Sequence, residues 1–397
     1  MYTNLTGDTD QDPDKGTDTY NEYGTVSGDG TVIAYLSNVD LTGESDGVPN
    51  AEVVVMVGGA KRQVTQTTSI TNTSDNTYDV TNYSPFVSGD GSVVVFGSDG
   101  DLLDTGATGT EQIYAYDVGG GALTQLSGLD TLAGGITKDT AGGPRVSADG
   151  RVVVWIENDA ECPTFGCAVE TRLRATDAQG NPQMSVVFAD ELSFSDYALS
   201  ADGATIAFIS NRNPVGSNPD GRNQLFLMSV PSGAVTQVST LSAGGSTWSA
   251  SYQAPGLGRD GALIAVWTND PAVTDSEDYV LALLGASGGL QSILARQRVD
   301  FPAGDDALGR PRITPDGRFV SFSTRWSFAY TQRNFRANVG AGTLKDVGIG
   351  ARTVSPTITD DGTTLIIAGT GFEFYPDQTD DKNPDGNSEI WSVRVEE

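Results

Sequence analysis

Oxygen-bearing side chains alternate along two short stretches. Asp381, Asn383 and Asp385, followed by Gly386, put hard oxygens at the first, third and fifth positions of a turn, with glycine at the sixth. That is the first half of a calcium loop. Ser392 stands at the twelfth position, where a bidentate glutamate would complete it, and Glu389 is the carboxylate that could serve instead. Asp8, Asp10, Asp12 and Asp14 repeat the alternation near the start of the chain. Calcium is the cofactor expected from these runs. The competing reading is a set of solvated acidic turns.

A second cluster has the opposite character. Arg325, Trp326, Phe328, Tyr330, Arg333, Phe335 and Arg336 crowd one loop, and no acid occurs between Arg318 and Lys345. Arg296, Arg298, Arg310 and Arg312 precede it, and Trp248 lies further upstream. Guanidinium groups beside aromatic rings hold carboxylates by bidentate pairing and stacking. The ligand expected here is a carboxylated sugar or an acidic group on a protein partner. Ordinary packing and charge balance are the alternative, and Phe328 and Phe335 are expected to be partly core.

Other chemistry is closed off. The chain has no histidine, which removes Ser-His-Asp and Cys-His catalysis and histidine-ligated metals. The two cysteines, Cys162 and Cys167 in "ECPTFGC", cannot complete a zinc shell and read as a local disulfide of an oxidising compartment. A formal net charge of −29 argues against nucleic acid and anionic membranes as partners. No apolar run is long enough to span a bilayer, so membrane insertion is not expected. The opening "MYTNLTGDTD" reads as a mature start, from which any export signal is gone or was never present. Localisation is expected to be secreted, periplasmic or at the cell surface.

What positions these residues is a repeat. Asp-Gly pairs stand at Asp29, Asp90, Asp149, Asp202, Asp260, Asp316 and Asp361, at separations of 61, 59, 53, 58, 56 and 45 residues. Each copy has an apolar lead, the Asp-Gly hairpin signal, a β-branched run, a long polar loop, a second apolar run, a Gly-rich turn and a closing strand such as "LTQLS". Seven copies of four short strands predict an all-β, seven-bladed β-propeller. The blades fall near 24–66, 84–127, 143–188, 195–239, 252–295, 309–349 and 354–397, within one domain over 1–397. The seventh copy lacks its closing strand, and "YTNLTG" at residues 2–7 matches "LTQLSG" at 123–128. The N-terminal strand is therefore expected to pair into the last blade and close the ring. On that expectation the chain is structurally complete.

The pattern in "SPFVSGDGSVVVFGSD … QIYAYDVGGGALTQLS", Ser84 to Ser127, resembles the TolB-type propeller repeat, and the resemblance extends over essentially the whole chain. It implies the propeller fold. For function it implies only a range, from periplasmic scaffolds and secreted surface proteins to peptidase accessory domains and some lyases.

In such blades the Asp-Gly and Gly-rich turns share one face. The long loops and crossovers share the other, where function usually sits. The reading taken is a non-catalytic extracellular or cell-surface binding or scaffold propeller, stabilised by calcium and holding a protein or glycan on its long-loop face. The alternative is a carbohydrate-active enzyme, a glycoside hydrolase or polysaccharide lyase, with a carboxylate or Tyr/Arg site in the central channel. A subunit of a larger surface assembly is a third possibility.

Overall fold

The β-branched run after each Asp-Gly pair is buried on both faces. All of Val32–Ser37 is buried, and Val93–Ser98, Thr205–Ser210 and Leu263–Thr268 are buried at every position but the first. A strand with apolar side chains on both sides needs a covering layer on each. In the computed structural model those layers are neighbouring blades. The structure describes residues 2–7, 20–39, 41, 50–68, 70–71, 77–78, 80–105, 110–128, 140–159, 170–188, 197–240, 252–274, 278–300, 305–326, 331–351, 356–369 and 388–396.

Seven antiparallel sheets form a seven-bladed propeller, each ordered from an innermost to an outermost strand. Blade one runs Asn21–Val26, Val32–Ser37, Glu52–Val57 and Ala60–Gln63 in that spatial order. Blade six departs slightly. Its innermost strand is split into Asp305–Leu308 and Arg312–Ile313, and the helical turn Gln297–Asp300 precedes it.

Hydrophobic clusters straddle the seams between blades. Val94, Phe96 and Tyr114 of blade two pack with Ala34 and Val55 of blade one, and Ile33, Tyr35 and Val54 of blade one with Ile366 and Ile390 of blade seven. Within blades, rings stack across the second and third strands at matching register: Phe96 on Tyr114, Phe208 on Phe226, Phe322 on Phe335. Phe335 is core, as expected.

The Asp-Gly phrase is a hydrogen-bonded device. In blade one the Ser27 hydroxyl donates to Asp29 Oδ1 at 2.7 Å, the Thr31 N–H donates to the same oxygen at 3.0 Å, and the Val32 N–H donates to Ser27 Oγ at 3.0 Å. Ser88-Asp90, Ser147-Asp149, Ser200-Asp202, Thr314-Asp316 and Thr359-Asp361 repeat the hydroxyl–carboxylate bond. The glycine takes a left-handed φ, +78° at Gly30 and +73° at Gly362, which a side chain would strain.

These turns are also laced to one another around the channel mouth. Backbone bonds run from Asp360 N to Gly28 O, Gly28 N to Gly89 O, Asp90 N to Ala148 O, Ala148 N to Ala201 O, and Asp202 N to Arg259 O.

The ring closes as the repeat predicts. Tyr2–Asn4 pairs antiparallel with Glu389–Arg394, with Asn4 opposite Trp391. Gln125 opposite Tyr114 and Gln237 opposite Phe226 occupy the same place in blades two and four. The hydroxyl two residues on repeats too. Thr6, Thr65, Ser127 and Ser239 each accept a backbone N–H from the third strand and donate to its first side chain: Glu389, Glu52, Gln112 and Gln224 respectively.

Candidate functional site

The innermost strands of blades one, two, three and five carry a local irregularity. The register of the two inner strands slips between Glu22 and Thr25, Tyr83 and Phe86, Gly142 and Arg145, and Gln253 and Gly256. These are β-bulges, and bulges re-aim side chains. Tyr23, Ser84 and Gly143 sit on them at φ of +58°, +52° and +64°. A left-handed tyrosine or serine is strained, and such strain gathers where a structure over-determines the backbone.

The innermost strands place equivalent residues four positions before each Asp-Gly aspartate. Around the ring these are Thr25, Phe86, Arg145, Ala198, Gly256, Arg312 and Thr357. Thr25 and Thr357 use their hydroxyls on carbonyls of the next blade, Pro85 O at 3.3 Å and Gly24 O at 3.4 Å. At Gly256 a Cβ would collide with Pro311 O, so no side chain fits. Three large members remain, and they meet.

The Arg145 guanidinium carbon lies 5.2 Å from the centre of the Phe86 ring, and that of Arg312 lies 4.7 Å from the same ring. Blades two and six are not neighbours, so the second contact crosses the propeller axis. Phe86, Arg145 and Arg312 therefore fill the centre of the channel. Cation–π contact with a ring suits a guanidinium removed from water.

Arg145 is the most enclosed of the three, 9% exposed. One terminal nitrogen donates to Pro144 O at 2.8 Å and Gly143 O at 3.2 Å. A second ring, that of Tyr197, lies 5.5 Å from its guanidinium carbon. The Tyr197 hydroxyl donates to Gly143 O and lies 3.2 Å from Val154 O. Gly143 O thus accepts from both Tyr197 and Arg145. Nε of Arg145 is buried and bonded to nothing, and among the described residues no carboxylate comes within ion-pair distance of this cation.

In the Arg-aromatic cluster around blade six, the two arginines of the third strand point to different places. Arg333 and Arg336 are three residues apart on one strand, hence on opposite faces. Arg333 is half exposed and pairs with Asp346. Arg336, 4% exposed, stacks on Phe319 at 4.7 Å and donates to Gly362 O at 2.8 Å and Val395 O at 3.3 Å. It is a seam residue between blades six and seven, which corrects its reading as a binding residue. Arg325 and Trp326 end the strand Phe319–Trp326, and Arg298 lies in the turn Gln297–Asp300. Arg296 ends the outer strand of blade five, its N–H bonded to Asp300 Oδ2 at 2.6 Å. Tyr330 and Trp248 lie outside the described residues.

Asp381, Asn383, Asp385, Asp8, Asp10, Asp12 and Asp14 fall outside the described residues, as do Cys162 and Cys167. Glu389 falls within them and is 1% exposed. Its carboxylate accepts from Thr6 and, at 3.2 Å, from Asn21 Nδ2, inside the closure blade. Among the described residues no three cysteine or acidic side chains come together in a way that could hold a metal ion.

On the turn face, neighbouring carboxylates titrate in opposite directions. Bonds from the Thr359 hydroxyl and the Thr363 N–H hold Asp361 below the ordinary carboxylate range. Asp360 is pushed up, first by desolvation and then by Asp316, with Arg259 opposing.

No family model and no curated protein matches the sequence. Solved structures do match in fold. An oligogalacturonate lyase of Vibrio parahaemolyticus aligns over 100% of this chain and 94% of its own, at 12% identity and a TM-score of 0.59. An oligogalacturonate lyase in complex with manganese aligns over 100% and 93%, at 14% identity and a TM-score of 0.60. The β-propeller domain of the trilobed protease of Pyrococcus furiosus aligns over 96% and 97%, at 11% identity and a TM-score of 0.56. At these identities the likeness is one of fold.

Proposed function

We propose that this chain is a carbohydrate-active propeller of the polysaccharide-lyase kind, taking an acidic saccharide in its central channel. The observation that carries the reading is the convergence of Arg145 and Arg312 on Phe86 at the axis of a chain whose net charge is −29. Positive charge held at the centre of so acidic a molecule selects an anion. The full-length alignment with two oligogalacturonate lyases supports the same class.

In an elimination on a uronate, a base removes the proton on the carbon next to the carboxylate. The bond from the adjacent carbon to the glycosidic oxygen breaks, a carbon–carbon double bond forms, and the leaving oxygen takes a proton. Negative charge builds on the carboxylate, so fixed cations beside it lower the barrier. Arg145 and Arg312 would supply that charge. Tyr197 is not offered as the base, because its hydroxyl already donates to the Gly143 carbonyl.

Guanidinium groups at the axis would repel a metal cation there, so Arg145 and Arg312 are the fixed positive charge of the proposed site.

The buried Tyr197 hydroxyl also favours a second reading, in which the propeller holds an anionic glycan or an acidic protein group without turnover. Calcium in the acidic loops of the closure blade, a TolB-type ancestry and export to the cell surface belong to either reading. Incubation with uronate-containing polymers and oligomers tests the lyase reading. Growth of the ultraviolet absorbance of an unsaturated product, lost on Arg312→Gln, supports it. Retention on an acidic glycan column with no product would favour the binding reading.

A further inference from the structure

Resting on that anionic-saccharide reading, we propose that Arg145 is the residue that recognises the ligand's carboxylate, gripping it with the edge of its guanidinium that no protein group uses.

The side chain is preset for this. One terminal nitrogen is tied to the carbonyls of Gly143 and Pro144. The rings of Phe86 and Tyr197 lie within 5.5 Å of the guanidinium carbon and restrict its plane. The carbonyl it uses is itself oriented. Gly143 holds a left-handed φ of +64° on the bulge, and the Tyr197 hydroxyl donates to the same oxygen. That backbone conformation is one a side chain would strain, which suits glycine at position 143.

What the site lacks is an anion. A guanidinium is normally buried with a carboxylate, since desolvating an unpaired cation is costly. The half-buried Arg174, by contrast, has Glu157 at 2.6 Å. Arg145 keeps a buried Nε with no partner, and among the described residues no acid pairs with it. Nε and the second terminal nitrogen form the fork that matches a carboxylate with two parallel bonds. Recognition by this fork selects a planar carboxylate. A neutral sugar would leave the fork unpaired, and a methyl ester would give it only one weak acceptor.

The test uses the whole chain and simple probes: galacturonate, glucuronate, the methyl ester of galacturonate, and galactose. Each is titrated by calorimetry and by melting temperature at fixed ionic strength. The expected result is binding of both uronates, with the ester and galactose at least tenfold weaker. Hydrogen bonds to a charged group of this kind account for about 10- to 100-fold in affinity. Arg145→Lys, which keeps the charge and loses the fork, should weaken the uronates by that factor and leave galactose unchanged. Arg333→Gln, on the outer face, should alter neither.

Equal binding of galacturonate and its ester would overturn the proposal. So would an Arg145→Lys protein that binds uronates as the parent does. If Arg145 variants do not fold, the ester comparison on the unaltered protein decides alone. Carboxylate-dependent binding without turnover of any uronate polymer would uphold Arg145 and remove the lyase reading. Turnover that survives Arg145→Lys with unchanged KM would do the reverse.

Discussion

The Thr6 hydroxyl donates to the Glu389 carboxylate across 383 residues of sequence. The same hydroxyl accepts the Ile390 N–H at 3.0 Å, so one side chain serves two bonds at the join of the ring. Thr6→Val removes one donor from a buried carboxylate that also accepts from Asn21. Loss of one partner of a buried charged group costs about 1–3 kcal/mol. The urea midpoint should fall accordingly with the slope unchanged. A midpoint equal to that of the parent would mean the terminal strand does not hold the ring.

Close approach at the channel mouth makes a second prediction. A Cβ on Gly28 would lie 2.5 Å from Cγ and 2.7 Å from Oδ1 of Asp360. Gly28→Ala should destabilise by about 1–3 kcal/mol, the usual cost of overpacking a tight contact. Asp360→Gly in the same chain should recover much of it, because the two sites touch. Additive losses in thermal unfolding would place the strain elsewhere.

Asp360 and Asp361 should affect stability with opposite pH signatures. Asp361 is held below its ordinary value by Thr359 and Thr363, so its contribution is present above the usual carboxylate pKa of about 3.9 and is lost as pH falls through the lowered value. Asp29 behaves likewise through the Thr31 N–H and the Ser27 hydroxyl. Asp360 is raised, first by desolvation, so the folded state holds its proton more tightly and stability declines as pH rises above the ordinary value. Asp360→Asn should therefore stabilise the protein at pH 7 and do little near pH 3. Asp361→Asn should destabilise at pH 7 and do little near pH 2. Melting temperatures across that range check both signs.

Arg336 and Arg333 separate structure from recognition. Arg336→Ala strands the carbonyls of Gly362 and Val395 and uncovers Phe319. A loss on the order of 3 kcal/mol is expected, within the range for breaking a buried hydrogen-bonded charge. Arg333 is half exposed on Asp346, and its replacement by Gln should stay within about 0.5 kcal/mol. Chemical denaturation of the two variants distinguishes them.

The fold was readable because its signals are local. Six of the seven Asp-Gly pairs close their turn with a hydroxyl two residues before, and Thr6 matches Ser127 in kind and in spacing from the preceding Asn or Gln. The channel centre was not readable in that way. Phe86, Arg145 and Arg312 are separated by 59 and 167 positions in the chain, as 145 less 86 and 312 less 145, and the contact across the axis depends on the ring being closed. A signal was nonetheless there. Pro85-Phe86, Pro144-Arg145 and Pro311-Arg312 put large or charged residues where Pro356-Thr357 and Pro255-Gly256 put small ones. The loop arginines misled for a related reason. A strand sends alternate side chains to opposite faces, so Arg333 and Arg336, neighbours in sequence, part company in the blade.

The lacing of the turns has a consequence for the sequence. Among the described residues five of the seven junctions carry a turn-to-turn backbone bond, and the two without one flank blade six, where Pro315 has no N–H to give. Side chains fasten blade six instead: Trp267 Nε1 donates to Gly309 O at 3.0 Å on one side, and Ser321 donates to Pro356 O at 2.8 Å on the other. Five joins of the hoop are therefore made by the backbone, whereas the last two depend on which side chains stand there.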